Sequence, residues 1–131
     1  KSYYNTISLR EPLEDVAKKI STMPTDPARV RLTDPGDPDK CPVWQLHQTY
    51  SGEDTKKWVM EGCTSAGIGC LECKRPIIDA VIAELEPIQK AAEQYEKDPD
   101  LVRSIIAEGS EKAREAAKET LHDVRVAVGL G

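Results

Sequence analysis

The stretch Glu72–Asp98, ECKRPIIDAVIAELEPIQKAAEQYEKD, sets the fold class. Ile77, Val81, Leu85 and Ile88 recur at helical intervals and fall on one face, with charged residues between them. Pro76 and Pro87 predict a first turn and a kink within one long helix. The chain has no Phe, and aromatic residues make up only 5% of it, so a core must be built from Leu, Ile, Val and Ala. Such a core suits packed helices.

Reading outward confirms the pattern on both sides. Downstream, Asp98 and Pro99 punctuate, and Leu101, Ile105, Ala113, Ala117, Leu121, Val124 and Val128 mark a final amphipathic helix, mildly interrupted by Gly109. Upstream, SLREPLEDVAKKISTM places Ser8 and Glu11 at capping-box spacing and predicts a helix from about 9 to 22. VWQLHQTY and EDTKKWVMEG read as two short helices, with Trp44 and Trp58 as core residues or, alternatively, as exposed rings able to stack on bases. Between the first helix and these lies MPTDPARVRLTDPGDPDKCP, where five prolines and Gly36 forbid a continuous helix or a central strand. The expected architecture is a single all-α domain over residues 1–131, a bundle of about five or six helices with a long Pro-rich loop.

Charge narrows the function. The formal net charge is −5, and residues 76–131 hold seven Lys and Arg against twelve Asp and Glu, while residues 1–75 are balanced. An acidic total disfavours bulk nucleic-acid binding, which draws its affinity from basic groups on phosphates. A small basic patch in the first part stays open. Residues Glu111 to Lys118 read as a solvated face. No run approaches the length of a membrane span, and nothing near Lys1 resembles a signal peptide, so a cytosolic setting is expected. The start on Lys1 suggests a piece of a longer protein.

All four cysteines, Cys41, Cys63, Cys70 and Cys73, follow the spacing C-x(21)-C-x(6)-C-x(2)-C. In a reducing compartment such a cluster points to metal or catalysis before disulfides. The pair in CLEC reads as a ligand hairpin, with Cys63 brought in across the GIG turn and Cys41 from the Pro-rich loop. Four thiolates satisfy tetrahedral zinc and equally a [4Fe-4S] cubane. A zinc ribbon has two C-x(2)-C knuckles and this chain has one, which favours iron and sulfur. The plain alternative is that these are buried small residues or a Cys70–Cys73 disulfide. Lys74 and Arg75 are placed to stabilise thiolates. His47 and His122 have no nucleophile partner in sequence, and His47 reads as a packed residue.

Two stretches carry a specific resemblance. MPTDPARVRLTDPGDPDKCPVWQLH, residues 23–47, resembles the segment that follows the active-site loop in bacterial tryptophanyl-tRNA synthetases, and KSYYNTI resembles the tail of that family's KMSKS signature. The resemblance implies the C-terminal, anticodon-binding part of a class I aminoacyl-tRNA synthetase, a cytoplasmic homodimer that charges tRNA-Trp using tryptophan, ATP and Mg. It implies a catalytic role in ATP binding for Lys1 and an ATP-loop position for Ser2, in the whole enzyme only; the fragment alone is expected to be inactive. Some members carry a [4Fe-4S] cluster on four cysteines, with a first gap one residue longer than here. Arg29, Arg31, Lys40 and Arg75 are the tRNA-binding candidates, with salt bridges to Asp26, Asp34 or Asp37 as the alternative for the first two. Three readings follow: an RNA-recognition domain stapled by a cluster, a redox regulator of tRNA binding, and a zinc-stapled helical interaction module.

Overall fold

The computed structural model describes residues 5–130. Lys1 and Ser2 therefore lie outside the described residues. Among these the secondary structure is entirely helical: α1 Leu13–Thr22, a short 3-10 turn Pro38–Lys40, α2 Pro42–Tyr50, α3 Glu53–Thr64, α4 Cys70–Lys97 and α5 Pro99–Ala127. The all-α expectation holds, with five α-helices.

The chain divides into two compact units, Lys1–Gln89 and Lys90–Gly131. In the first, Val16 and Ile20 of α1, Val43 of α2, and Ile77, Val81 and Leu85 of α4 form one aliphatic core. Each such side chain contributes roughly 1.5–3 kcal/mol by leaving water. Lys74 joins two of these helices: its ammonium, in a residue only 3% exposed, donates to the carbonyls of Ser21 and Met23 at 2.7 Å each. Those carbonyls end α1 and have no helical partner.

Helix α1 begins four residues later than the sequence suggests. Ser8 and Glu11 do pair, since Glu11 Oε2 accepts from the Ser8 N–H at 3.1 Å, but the pairing closes a turn outside the helix. Pro12 follows as the N-cap at ψ 132° and delays helix entry. Glu11 also pairs with Lys19 across the first turns of α1. Helix α4 runs through both of its prolines, and Pro76 sits beyond the first turn.

The second unit is held by local contacts. Asp98 Oδ1 accepts from the Leu101 N–H at 2.9 Å, and Pro99 follows at the first helical position. Ion pairs at helical spacing, such as Lys112 with Glu108 and Lys118 with Glu115, line α5. They are exposed, and each adds a few tenths of a kcal/mol. No residue of α5 is buried.

Candidate metal centre

The four cysteines come from three local settings. Cys41 ends the 3-10 turn and precedes α2, Cys63 sits in the last turn of α3, and Cys70 opens α4 with Cys73 three residues on. The CLEC pair is therefore the first turn of a helix, and the expected hairpin is absent. An i, i+3 spacing on a helix puts both side chains on the same face, so the sulfurs converge without a sharp backbone turn. The location also places both thiols at the positive end of the α4 dipole.

Between α3 and α4 the chain reverses over Ser65–Gly69. Gly67 and Ile68 both donate from their backbone N–H to the Gly62 carbonyl, at 2.7 and 3.2 Å. The left-handed residue is Ala66, at φ 57°, rather than a glycine of GIG. The glycine that matters for packing is Gly62: a Cβ there would meet the Ile68 side chain at 2.8 Å.

The Pro-rich loop is an ordered wall of the site. The buried Asp26 accepts from the Ala28 and Asp37 N–H groups at 2.9 Å each, and Asp34 accepts from Arg31 at 2.7 Å and Val30 at 3.2 Å. Gly36 donates to the Cys63 carbonyl at 2.9 Å. Its missing side chain is required, because a Cβ would stand 2.6 Å from Cys63 Sγ. Gly36→Ala is expected to displace that sulfur and weaken metal binding by about 1–3 kcal/mol, an overpacking cost, with helix content unchanged. Competitive metal titration alongside circular dichroism checks this.

Cys41, Cys63, Cys70 and Cys73 line one small cavity of about 20 Å³, closed by Arg29, Asp26 and Val43. All four are free thiols. Burial pushes the Cys63 thiol pKa up, and that of Cys73 to about 12. A metal must displace these protons on binding. Among the described residues, no group of three or more His, Cys, Asp or Glu side chains is drawn close enough to hold a single metal ion. The thiols ring a void. A larger apolar cleft of about 590 Å³, along Ile20, Met23, Pro42 and Leu46, carries no thiol, His or carboxylate among the described residues.

The basic residues take different positions. Residues 26–29 and 31–34 each close a turn, the Arg29 N–H donating to the Asp26 carbonyl and the Asp34 N–H to the Arg31 carbonyl. Arg29 reaches inward: its guanidinium lies 3.8 Å from Cys70 Sγ and donates to the carbonyls of Ile68 at 2.7 Å and Leu32 at 3.1 Å. Arg31 and Arg75 are exposed, and Lys40 pairs with Asp37 at 2.8 Å. Lys74 spends its charge on α1 rather than on the thiols.

The sequence also gave no sign of His47 as a neighbour of the thiols. The residue is fully buried, with Nε2 3.4 Å from Cys73 Sγ and Nδ1 2.8 Å from Ser51 Oγ. Burial lowers its pKa. Trp44 packs near it, ring centroids 6.1 Å apart, while Trp58 is 38% exposed and not a core residue.

No family model matches the chain. Over 99% of its length it is 59% identical to the tryptophan–tRNA ligase of Ralstonia nicotianae, 46% to that of Deinococcus radiodurans and 44% to that of Thermotoga maritima. It covers 32%, 39% and 40% of those proteins, so it spans about a third to two fifths of the relatives' length. A crystal structure of tryptophanyl-tRNA synthetase from Campylobacter jejuni, complexed with ADP and tryptophan, matches 99% of this chain and 40% of its own, at TM-score 0.80 and 25% identity. The chain is similar to the C-terminal region of these bacterial enzymes. No helix among the described residues is long and apolar enough to cross a membrane.

Proposed function

We propose that this chain is the anticodon-binding, C-terminal part of a tryptophan–tRNA ligase, and that its four cysteines hold a [4Fe-4S] cluster. The observation that carries the ligase reading is the 59% identity sustained over 99% of the chain. Activation of tryptophan with ATP and Mg belongs to the remaining two thirds of such an enzyme, with Lys1 and Ser2 contributing from its nucleotide loop. In the whole enzyme the partners are tRNA-Trp and a second subunit.

The donor set fits a cluster. Four thiols surround a void, with an arginine beside Cys70 to balance thiolate charge and a glycine making room for Cys63. Zinc takes the same four donors, and the single C-x(2)-C pair is what favours the cluster as the occupant. When bound, the group supplies a cross-link between α2, α3, α4 and the Pro-rich loop. Arg29 is then a member of the site's wall, and the loop it ties down presents Arg31, with Lys40 and Arg75 also exposed, for phosphates or unstacked bases.

Binding of the metal-loaded chain to tRNA-Trp and to the same tRNA with a replaced anticodon tests the function. At least ~10-fold preference for the native anticodon is expected, equivalent to about 1.4 kcal/mol. Equal affinity for both, or none for either, sinks the anticodon reading and leaves an interaction module. Repeating the measurement on oxidised, reduced and metal-free protein separates a structural staple from a redox regulator: only the regulator reading requires oxidised and reduced protein to differ.

A further inference from the structure

We propose that His47 is a positioning residue for the metal centre: its Nε2–H donates to the sulfur of Cys73, while the Ser51 hydroxyl donates to Nδ1. The proposal rests on the four cysteines being metal ligands, and adds a residue outside that set.

The geometry leaves the ring few choices. His47 is 0% exposed, and its two nitrogens face Cys73 Sγ at 3.4 Å and Ser51 Oγ at 2.8 Å. In a neutral imidazole one nitrogen donates and the other accepts. A metal-bound Cys73 sulfur has exchanged its S–H bond for a sulfur–metal bond, the proton leaving to solvent, and it retains only acceptor capacity. Nε2 must then carry the ring proton, because a bare nitrogen would face a bare thiolate in a dry site. Nδ1 becomes the acceptor, and Ser51 supplies the donor by rotating its hydroxyl.

Ser51 is suited to that task. It follows the last residue of α2, and its backbone N–H donates to the His47 carbonyl at 3.0 Å, which fixes its Oγ one helical turn beyond the ring. The resulting chain runs from a half-buried hydroxyl through a buried ring to a half-buried cysteine. A metal-free thiol imposes no such order, since S–H can donate weakly to Nε2 while Nδ1–H donates to Ser51. Metal binding therefore selects one tautomer of a residue that is not itself a ligand. The hydrogen bond aims Cys73 into the cavity and withdraws charge from its sulfur, the outer-partner role that ligand sulfurs and imidazoles recurrently need.

The test uses the chain loaded with cadmium, a diamagnetic occupant of four-thiolate sites, and needs no substitution to be decisive. The ring nitrogens of His47 are read by nitrogen-15 spectroscopy, and thiolate-to-metal absorption counts the sulfurs on cadmium. The expected result is four bound thiolates, a proton on Nε2, and scalar coupling from that proton to cadmium across Cys73 Sγ. Four bound thiolates with the proton on Nδ1 and no coupling overturn this inference and leave the metal centre standing. Failure of cadmium to take the four thiolates overturns this inference, and the cluster reading is then decided separately by the iron and sulfide content of the anaerobically purified chain. Ser51→Ala is expected to keep both cadmium and the proton on Nε2, since the thiolate alone demands a donor there. His47→Leu should lower cadmium affinity about 10–100-fold, with part of the loss recovered by His47→Gln, whose amide N–H can still donate.

Discussion

Cys63→Ser is expected to release the metal and to free the Pro-rich loop while leaving the helical core assembled. Cys63 is the α3 contribution to the thiol ring, and its carbonyl also receives the Gly36 N–H. The loop's remaining ties, the Gly36 N–H to the residue-63 carbonyl, Arg29 to the Ile68 carbonyl and Lys74 to the Met23 carbonyl, are polar and few. Loss of the cross-link should cost about as much as loss of a native cross-link in a small domain, roughly 2–5 kcal/mol. The aliphatic cluster of α1, α2 and α4 does not depend on Cys63. Limited proteolysis should therefore show new cleavage confined to residues 23–41, with far-ultraviolet circular dichroism nearly unchanged. Unaltered loop protection in the metal-free variant would mean that the protein contacts alone hold the loop.

Lys74→Ala should be the most destabilising change of a charged residue in the first unit, by about 2–4 kcal/mol. Two charge-assisted hydrogen bonds, each contributing roughly 1.5–3 kcal/mol, disappear, and relief of the buried ammonium's desolvation offsets part of that. Burial lowers the Lys74 pKa, the expected mark of that desolvation. Lys74→Met keeps most of the stem and so separates lost hydrogen bonds from a lost side chain. The measurement is a urea transition on metal-free protein. If Lys74 acted mainly on the thiolates, the metal-free transition would not move and only metal affinity would fall. The contacts with Ser21 and Met23 predict a lower midpoint without any metal present.

These two residues mark the boundary of what the sequence disclosed. Helix positions were legible because Ile77, Val81 and Leu85 repeat with the helical period, and periodicity is a local property. The convergence of four cysteines was legible from spacing, since the chain holds no others. The direction of each basic side chain was not legible. Lys74 adjoins Cys73 in sequence yet serves α1, and Arg29 resembles Arg31 in sequence yet turns toward Cys70. Both outcomes depend on acceptor carbonyls more than thirty residues away. His47 was opaque for the same reason: its partner Cys73 is 26 residues distant.

Local signals also misled where a single residue overrode them. Ser8 and Glu11 formed their pairing, but Pro12 moved the helix start beyond it. CLEC has the spacing of a knuckle and of a helical turn alike, and the continuous α4 register resolved it as the latter. In α5 the apolar repeat predicts a covered face, whereas Leu101, Ile105, Leu121, Val124 and Val128 are all exposed.

The most direct test of the account is the absorption spectrum of anaerobically purified protein, with iron, sulfide and zinc measured on the same sample. The account predicts a broad visible band, with iron and sulfide in equal amounts and no zinc. Colourless protein carrying stoichiometric zinc, or no metal at all on its four thiols, would contradict it.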